Sequence, residues 1–460
     1  MELVDRIIKA YDIRGLVDKE LTPDFAFAAG IAFASFLEME KEPGTVVIGE
    51  DMRPSSPELA TAFANGLVSQ SFDVIRIGLA ATDQLYFASG SKNLPGAMFT
   101  ASHNPAEYNG IKLCLSGARP IGQDSGLSWI RESIRNGASM ALRNSGKMSG
   151  VSMLDDYVDF LFSLFPLDTF SKEFKGRPIS IAIDAGNGMG GYTAPAVMKR
   201  INSEVHPLYF ELDGTFPNHE ANPIDPENLR DLQSLVRKRK ADIGLAFDGD
   251  ADRCFLVDET GALVDPSALT ALIATRELSL HPGATIIHNL ICSRAVPETI
   301  RESGGIPLRS RVGHSFIKSL MAESGAIFGG EHSGHFYFKE FWSADSGMLA
   351  ALHAIAALLD SGKPLSKLLS PFNRYKSSGE LNTRVKDQDA ALNNVKNFFM
   401  NGTSPIEFDE LDGLTISSDS WWINLRPSNT EPLLRLNVEA NTADVTTKLV
   451  DQVLDILKKQ

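Results

Sequence analysis

The chain of 460 residues with a formal net charge of -14 exceeds what one hydrophobic core serves, so three or four domains are expected. The acidic balance, without a basic stripe or interleaved basic and aromatic residues, excludes a general nucleic-acid surface. Cys114, Cys254 and Cys292 stand far apart with no Cys-x-x-Cys pair, the start Met1-Glu2-Leu3-Val4-Asp5-Arg6 is not a signal peptide, and no apolar run approaches the ~20 residues of a membrane span, so a cytoplasmic protein with buried thiols and no membrane partner is expected.

A strand-like run rich in Val and Ile, a helical pattern and a second strand-like run occur three times in chain order. The first copy has Thr45-Val46-Val47-Ile48-Gly49, a helix opened by Ser56-Pro57-Glu58, with Ser placed to cap and Pro suited to the first turn, and a strand from Phe72 to Gly78. The second runs from Ile179 to Asp184, through a Gly-rich turn and a helix near Ala194, to a strand from Val205 to Leu212. The third has a strand at Ala284 to Ile287, the segment after Ser293, and a strand at Ile306 to Arg309. Each copy then reaches a further short apolar strand that ends in polar residues: Ala97-Met98-Phe99 before Ser102, Ile243 to Phe247 before Asp248, and Ala326-Ile327-Phe328 before Glu331. The copies share architecture and hardly any residues.

Buried strands alternating with helices indicate α/β domains, whose ligand sites lie beyond the carboxyl ends of the strands. Polar stretches from Arg135 to Gly150 and from Ser370 to Ser378 read as linkers. The expected domains are 1–148, 149–256, 257–370 and 371–460. The last differs from the others. A strand from Gly379 to Val385, a helix through Phe398, paired strands around Gly413 and from Trp421 to Val438, and an amphipathic helix from Asp444 to Lys458 make a small α+β domain.

Four loops carry chemistry. Ser102, followed by His103-Asn104-Pro105, could form a simple turn, but His103 and Lys112 are close enough in sequence to compensate phosphate charge on a serine oxygen, and serine needs such help as a nucleophile. Asp248, Asp250 and Asp252 alternate, so extended backbone would make their carboxylates converge; such a trio repels itself without a cation, and all-oxygen ligands select a hard ion such as Mg²⁺. A calcium loop of the EF-hand type is excluded because Arg253 stands where glycine is required and the flanks read as strands. Gly330-Glu331-His332-Ser333-Gly334-His335 suits a polyhydroxylated substrate or is an ordinary polar loop. Arg426, Ser428, Asn429 and Thr430 suit phosphate oxygens or form a plain hairpin turn. Gly186-Asn187-Gly188-Met189-Gly190-Gly191 matches a dinucleotide pattern, with Glu211 near the end of the next strand, but a tight strand-to-helix turn explains the glycines as well.

Taken in order, Tyr11-Asp12-Ile13-Arg14-Gly15, Thr100-Ala101-Ser102-His103-Asn104-Pro105, Asp248-Gly249-Asp250-Ala251-Asp252-Arg253, Gly330-Glu331-His332-Ser333-Gly334-His335 and Arg426-Pro427-Ser428-Asn429-Thr430 resemble the signature set of the α-D-phosphohexomutases, most of all the bacterial phosphomannomutase/phosphoglucomutase branch. The resemblance spans nearly the whole chain. It implies three topologically similar α/β domains plus a C-terminal α+β domain around a central cleft. It also implies a phosphoserine at Ser102, which completes a Mg²⁺ site made by Asp248, Asp250 and Asp252. Glu331 and Ser333 would take sugar hydroxyls, and Arg426, Ser428, Asn429 and Thr430 the non-reacting phosphate. Tyr11, Arg14, Lys112, Arg253, His314 and His335 would line the cleft, with Lys112 and His314 the candidates for general acid and base. His332 departs from the methionine or glutamine that related enzymes often carry there.

The implied reaction moves a phosphoryl group between the 1- and 6-positions of a mannose or glucose phosphate through phosphoserine and a 1,6-bisphosphate, with glucose 1,6-bisphosphate or an equivalent as activator. A phosphoglucosamine mutase is the near alternative. A dinucleotide-dependent oxidoreductase and a non-catalytic metal-binding module are the alternatives of other classes. A hexose phosphate is the expected partner and a monomer or homodimer the expected state.

Overall fold

The computed structural model describes residues 3–9, 11–137, 145–402, 405–427 and 433–458. Their strands form four sheets. Each of the first three sheets contains the same core of four strands. In the first, Thr45–Glu50 lies between Asp73–Leu79 and Gly96–Phe99, all parallel, and Tyr108–Leu115 follows antiparallel at the far side of Gly96–Phe99. The second repeats this with Ile179–Asp184 between Ser203–Leu208 and Ile243–Phe247, then Cys254–Asp258 antiparallel. The third repeats it with Thr285–Asn289 between Ile306–Ser310 and Phe328–Gly330, then Phe336–Phe338 antiparallel. The architectural repeat is therefore real, and it includes an antiparallel fourth strand.

This order positions the site. In every copy the chemical loop joins the third parallel strand to the antiparallel fourth, at the carboxyl end of the parallel set. The third strands Gly96–Phe99, Ile243–Phe247 and Phe328–Gly330 are buried along their whole length, as expected where helices cover both faces of a sheet. Helices Pro23–Met39 and Ser56–Val68 pack on each other and share one apolar cluster with the first sheet. A larger cluster runs from Val47 through Ile181 to Leu352 and joins the first three domains into one body.

Some boundaries differ from the sequence reading. Met148–Gly150 is a strand paired in parallel with Asp73–Leu79, so a boundary between 148 and 149 cuts the edge of the first sheet. Three exposed residues in a polar stretch carry no periodicity to reveal this. The boundary after 256 falls within Cys254–Asp258, and the expected linker to Ser378 already contains the start of Lys376–Arg384. Ser56 does not cap its helix; its hydroxyl donates to Asp51 Oδ1 at 2.6 Å.

The fourth sheet is wholly antiparallel, in the order Lys376–Arg384, Leu433–Ala440, Trp421–Pro427, Leu414–Ser417 and Glu407–Asp409. Helices Gln388–Met400 and Ala443–Lys458 complete its apolar core. It docks on the third domain through Arg294, which donates to the carbonyls of Ser418 and Asp419 at 2.6 and 2.7 Å. Among the described residues no helix is long and apolar enough to cross a membrane.

Candidate active site

Ser102 sits just past the third strand of the first sheet, 2% exposed and with φ at 48°. A left-handed backbone costs a non-glycine residue about 1–2 kcal/mol, so something must hold it. Arg53 does. Its guanidinium, 1% exposed, spends its four terminal N–H groups on the carbonyls of Ser102, Asn104, Pro105 and Tyr108 at 2.7–2.9 Å. Asp51 balances the charge, 3.3 Å from Arg53 Nε. Thr100 Oγ1 accepts from the Ser102 amide at 2.9 Å. The sequence reading passed over Arg53, although it lies just beyond the carboxyl end of a buried strand, where sites in such sheets are found.

The Ser102 hydroxyl donates to Asp248 Oδ2 at 2.7 Å, across the boundary between the first two domains. The acidic loop is a turn, not extended backbone: the Ala251 amide donates to the Asp248 carbonyl at 3.1 Å and Ala251 has φ of 60°. That turn still brings one oxygen each of Asp248, Asp250 and Asp252 within 4.8 Å of one another. Asp250 Oδ1 and Asp252 Oδ1 are buried without a hydrogen-bond partner. Orphaned anionic oxygens are costly in a protein interior, and a hard divalent cation fits this set.

Lys112 donates to Asp250 and Asp252 at 2.7 and 2.6 Å. Burial acts to raise all three carboxyls, but Lys112 and then Thr82 bring Asp250 below its ordinary value. Asp248 stays well above the carboxylate range, with Asp252 and Asp250 adding to the effect, whereas Lys112 reverses it for Asp252 and brings that group down to about 2. Burial would lower the Lys112 ammonium, but Asp250 and Asp252 outweigh it and hold its pKa well above the ordinary value.

His103 Nδ1 lies 3.2 Å from Ser102 Oγ and 3.0 Å from a terminal nitrogen of Arg253. Burial and then Arg253 push the imidazole well below its usual pKa. The sequence reading paired His103 with Lys112 as compensation for phosphate charge, and in the structure Arg253 and Lys112 are the cationic side chains on this group. Arg253 Nε also donates to His335 Nε2 at 3.2 Å.

Backbone pairing of Arg253 with His335 stitches the second loop to the third. His335 Nδ1 lies 2.9 Å from Ser333 Oγ. Glu331 is buried and accepts from Tyr337 Oη at 2.7 Å and from the Gly313 amide at 3.1 Å. Arg14 bonds Asn104 at 2.5 Å, which ties Ile13–Leu16 to the Ser102 loop. Tyr11 meets Phe316 edge to face at 6.1 Å, and burial followed by Asp412 of the fourth domain raises its phenol. Three domains thus converge on Ser102.

Arg426 has a terminal nitrogen 3.1 Å from Glu380 Oε2, and its charge acts on the Tyr11 phenol. Ser428, Asn429 and Thr430 lie outside the described residues. His314 opens the helix His314–Ser324, so its backbone stands beside Gly313, whose amide binds Glu331.

The Gly-rich turn of the second domain has a structural job. A Cβ on Gly188 would come within 2.6 Å of the Gly249 carbonyl oxygen, and one on Gly249 within 2.4 Å of the Ser102 carbonyl oxygen. The Met189 amide donates to the Gly249 carbonyl at 2.9 Å. These glycines seat the acidic loop between the turn and Ser102, and the site is not a dinucleotide cradle.

A serine against a carboxylate trio, with cations in reach and a polar loop opposite, defines the class: a phosphoryl-transfer enzyme with a multidomain α/β site. Protein-family profiles for phosphoglucomutase/phosphomannomutase match four segments, alpha/beta/alpha domains I, II and III at residues 5–140, 155–261 and 265–375 and the C-terminal domain at residues 380–456. The chain belongs to the phosphoglucomutase/phosphomannomutase family, within the α-D-phosphohexomutases. It is 39% identical to a phosphomannomutase of Vibrio cholerae serotype O1 over 98% of each chain. It is 37% identical to a phosphomannomutase of Methanocaldococcus jannaschii over 98% of each. A crystal structure of a phosphoglucomutase/phosphomannomutase family protein from Burkholderia thailandensis superposes with a TM-score of 0.88 at 31% identity, covering 100% of this chain and 98% of the other.

Proposed function

We propose that this enzyme interconverts the 1- and 6-phosphates of mannose, glucose or both, with Ser102 as the phosphoryl carrier. The observation that carries the reading is the Ser102 hydroxyl 2.7 Å from Asp248, beside carboxylate oxygens that lack partners. Asp248, Asp250 and Asp252 would hold Mg²⁺, with the Ser102 oxygen beside them. When bound, the ion neutralises charge on the transferring phosphoryl group.

In the first half-reaction the bond between phosphorus and Ser102 Oγ breaks and one to the free hydroxyl of the hexose phosphate forms. The sugar hydroxyl proton passes to a base, for which His314 is the candidate, and a hexose 1,6-bisphosphate results. Lys112, whose ammonium donates to Asp250 and Asp252, is the candidate acid that returns a proton to Ser102 Oγ. The bisphosphate then turns over in the cleft, and its other phosphate returns to Ser102. Arg253 faces the transferring charge, and a buried, closed site keeps water from the phosphoserine. Arg426, with Ser428, Asn429 and Thr430, would hold the phosphate that does not react, and Glu331, Ser333 and His335 would face the sugar, with Tyr11 and Arg14 at the rim.

Turnover of mannose 1-phosphate, glucose 1-phosphate and glucosamine 1-phosphate, each with Mg²⁺ and a trace of hexose 1,6-bisphosphate, tests the reading. The 6-phosphates of mannose or glucose form without a redox cofactor. Exclusive use of glucosamine 1-phosphate replaces the proposed substrate, and no product from any of them overturns the reading.

A further inference from the structure

Away from Ser102, the helices Pro266–Leu280 and Gly347–Ser361 of the third domain face the segment from Leu164 to Thr169 of the second, and between them lies a cavity of about 560 Å³. That volume suits a small organic ligand. Phe165, Ile327, Phe338 and Leu349 give part of its wall an apolar surface. Of the polar residues that also line it, His353 and Glu277 are nearly buried.

His353 is 7% exposed, and its Nδ1 has no hydrogen-bond partner. The ring is sandwiched between Phe165 and Phe338, at 4.9 and 5.1 Å between centroids. Its Nε2 lies 3.7 Å from Glu277 Oε1, beyond hydrogen-bond distance, and this is the one ion-pair contact of Glu277 among the described residues. The Glu277 side chain is only 12% exposed. Burial, then the neighbouring charge of Glu340, raises the Glu277 carboxyl to about 7, with Arg276 opposing. Burial lowers His353 to about 3, so it is neutral. In the tautomer that carries the proton on Nε2, the nitrogen nearer Glu277, Nδ1 is an acceptor. The cavity therefore offers an unpartnered nitrogen, His353 Nδ1, beside a nearly buried carboxyl whose one ion-pair contact among the described residues is that imidazole.

The cations at the rim, Lys172 and Arg276, both donate to Asp360, at 2.8 and 3.0 Å, and Arg276 Nε is left buried without a partner. His281 also lines the cavity.

We propose that this cavity is a second ligand site, separate from the phosphoryl-transfer centre, that takes a small organic cation: a protonated primary amine on an apolar or aromatic body. The ammonium group donates to Glu277 and to His353 Nδ1, and the body packs on Phe165, Phe338 and Ile327. An unpaired buried carboxylate is expensive, so a cation gains more here than a neutral ligand of the same shape.

Calorimetric titration of the full-length protein with 2-phenylethylamine, in the presence of Mg²⁺ and an equilibrated hexose phosphate mixture to occupy the transfer site, tests this. The amine binds one to one, and 2-phenylethanol binds at least tenfold more weakly. Glu277→Gln loses at least tenfold in affinity for the amine while keeping hexose phosphate turnover. Ser279→Trp, a change at an exposed position on the cavity wall, blocks the amine without altering the core and carries the test if Glu277→Gln folds poorly. Because Glu277 must ionise to pair, wild-type affinity rises about tenfold from pH 6 to pH 8, and that of Glu277→Gln stays flat. Absence of amine binding, equal binding of amine and alcohol, or wild-type affinity in the variants would overturn the proposal.

Discussion

At Ser102 the hydroxyl, its acceptor Asp248 and the strained backbone are parts of one device. Ser102→Ala is expected to fold normally and lose nearly all turnover, because it removes the hydroxyl that meets Asp248 and that carries the phosphoryl group in the proposed cycle. Intact-mass measurement reads one phosphate on the active protein and none on the variant; phosphate retained elsewhere with activity intact contradicts the assignment. Arg53→Lys keeps a charge beside Asp51 but loses the fork that grips four carbonyls, so turnover is expected to fall well over tenfold with KM little changed. Steady-state kinetics decide it, and unchanged kcat would mean that the loop holds itself. The Ser102 and aspartate motifs were legible because their residue types are unusual at the ends of apolar strands. Arg53 was not, because its partners are backbone carbonyls that leave no mark in sequence.

The loops between third and fourth strands hold one another in place, so small changes in one are felt in the next. Gly188→Ala would press a methyl group against the Gly249 carbonyl, and the acidic loop must shift. The variant is expected to fold but to need at least tenfold more Mg²⁺ for half-maximal activity, while Asp250→Asn shows a deeper defect in the same titration. Normal Mg²⁺ dependence in Gly188→Ala would separate the glycine turn from the metal loop. On the adjoining helix Thr82–Lys92, Asp83 accepts from Tyr157 and Ser346, and burial raises its carboxyl to about 7 against a usual 3.8. The folded state thus holds a proton that the unfolded state gives up, so the contribution of this group is fully present below about pH 4 and is lost as pH rises through 7. Wild type should lose stability relative to Asp83→Asn between about pH 4 and 7 in chemical denaturation; parallel curves would refute it. Strand positions in these elements followed from apolar runs, whereas Met148–Gly150 and the turn at Ala251 did not, since short exposed strands and left-handed alanines have no compositional signature.

Across the whole molecule, the first three domains share a continuous core, while the fourth meets the third through Arg294, a Leu290-Ile291-Trp422 cluster and the Val312 to Asp412 bond. Its Arg426 pairs with Glu380, so the phosphate proposed to bind there would compete with a carboxylate for the guanidinium. Arg426→Ala is expected to weaken both the 1- and the 6-phosphate, and Arg426→Lys to be clearly impaired, because lysine cannot grip a phosphate in two-pronged fashion. Impairment with only one isomer in forward and reverse kinetics would show that the turn is not shared by both orientations. The four-part plan and its site loops could be read from order and motif, but not the pairing of Arg426 with Glu380, since it joins residues 46 positions apart on different strands.

Transfer from the carrier serine tests the central claim most directly. Protein labelled with radioactive phosphate on Ser102 is mixed with unlabelled mannose 1-phosphate or glucose 1-phosphate and Mg²⁺ in a single turnover, and the products are separated. The label should leave Ser102, appear first in a hexose 1,6-bisphosphate and then in the 6-phosphate, with none released early as inorganic phosphate. Label that stays on the protein while 6-phosphate forms, or that goes straight to inorganic phosphate, would contradict it.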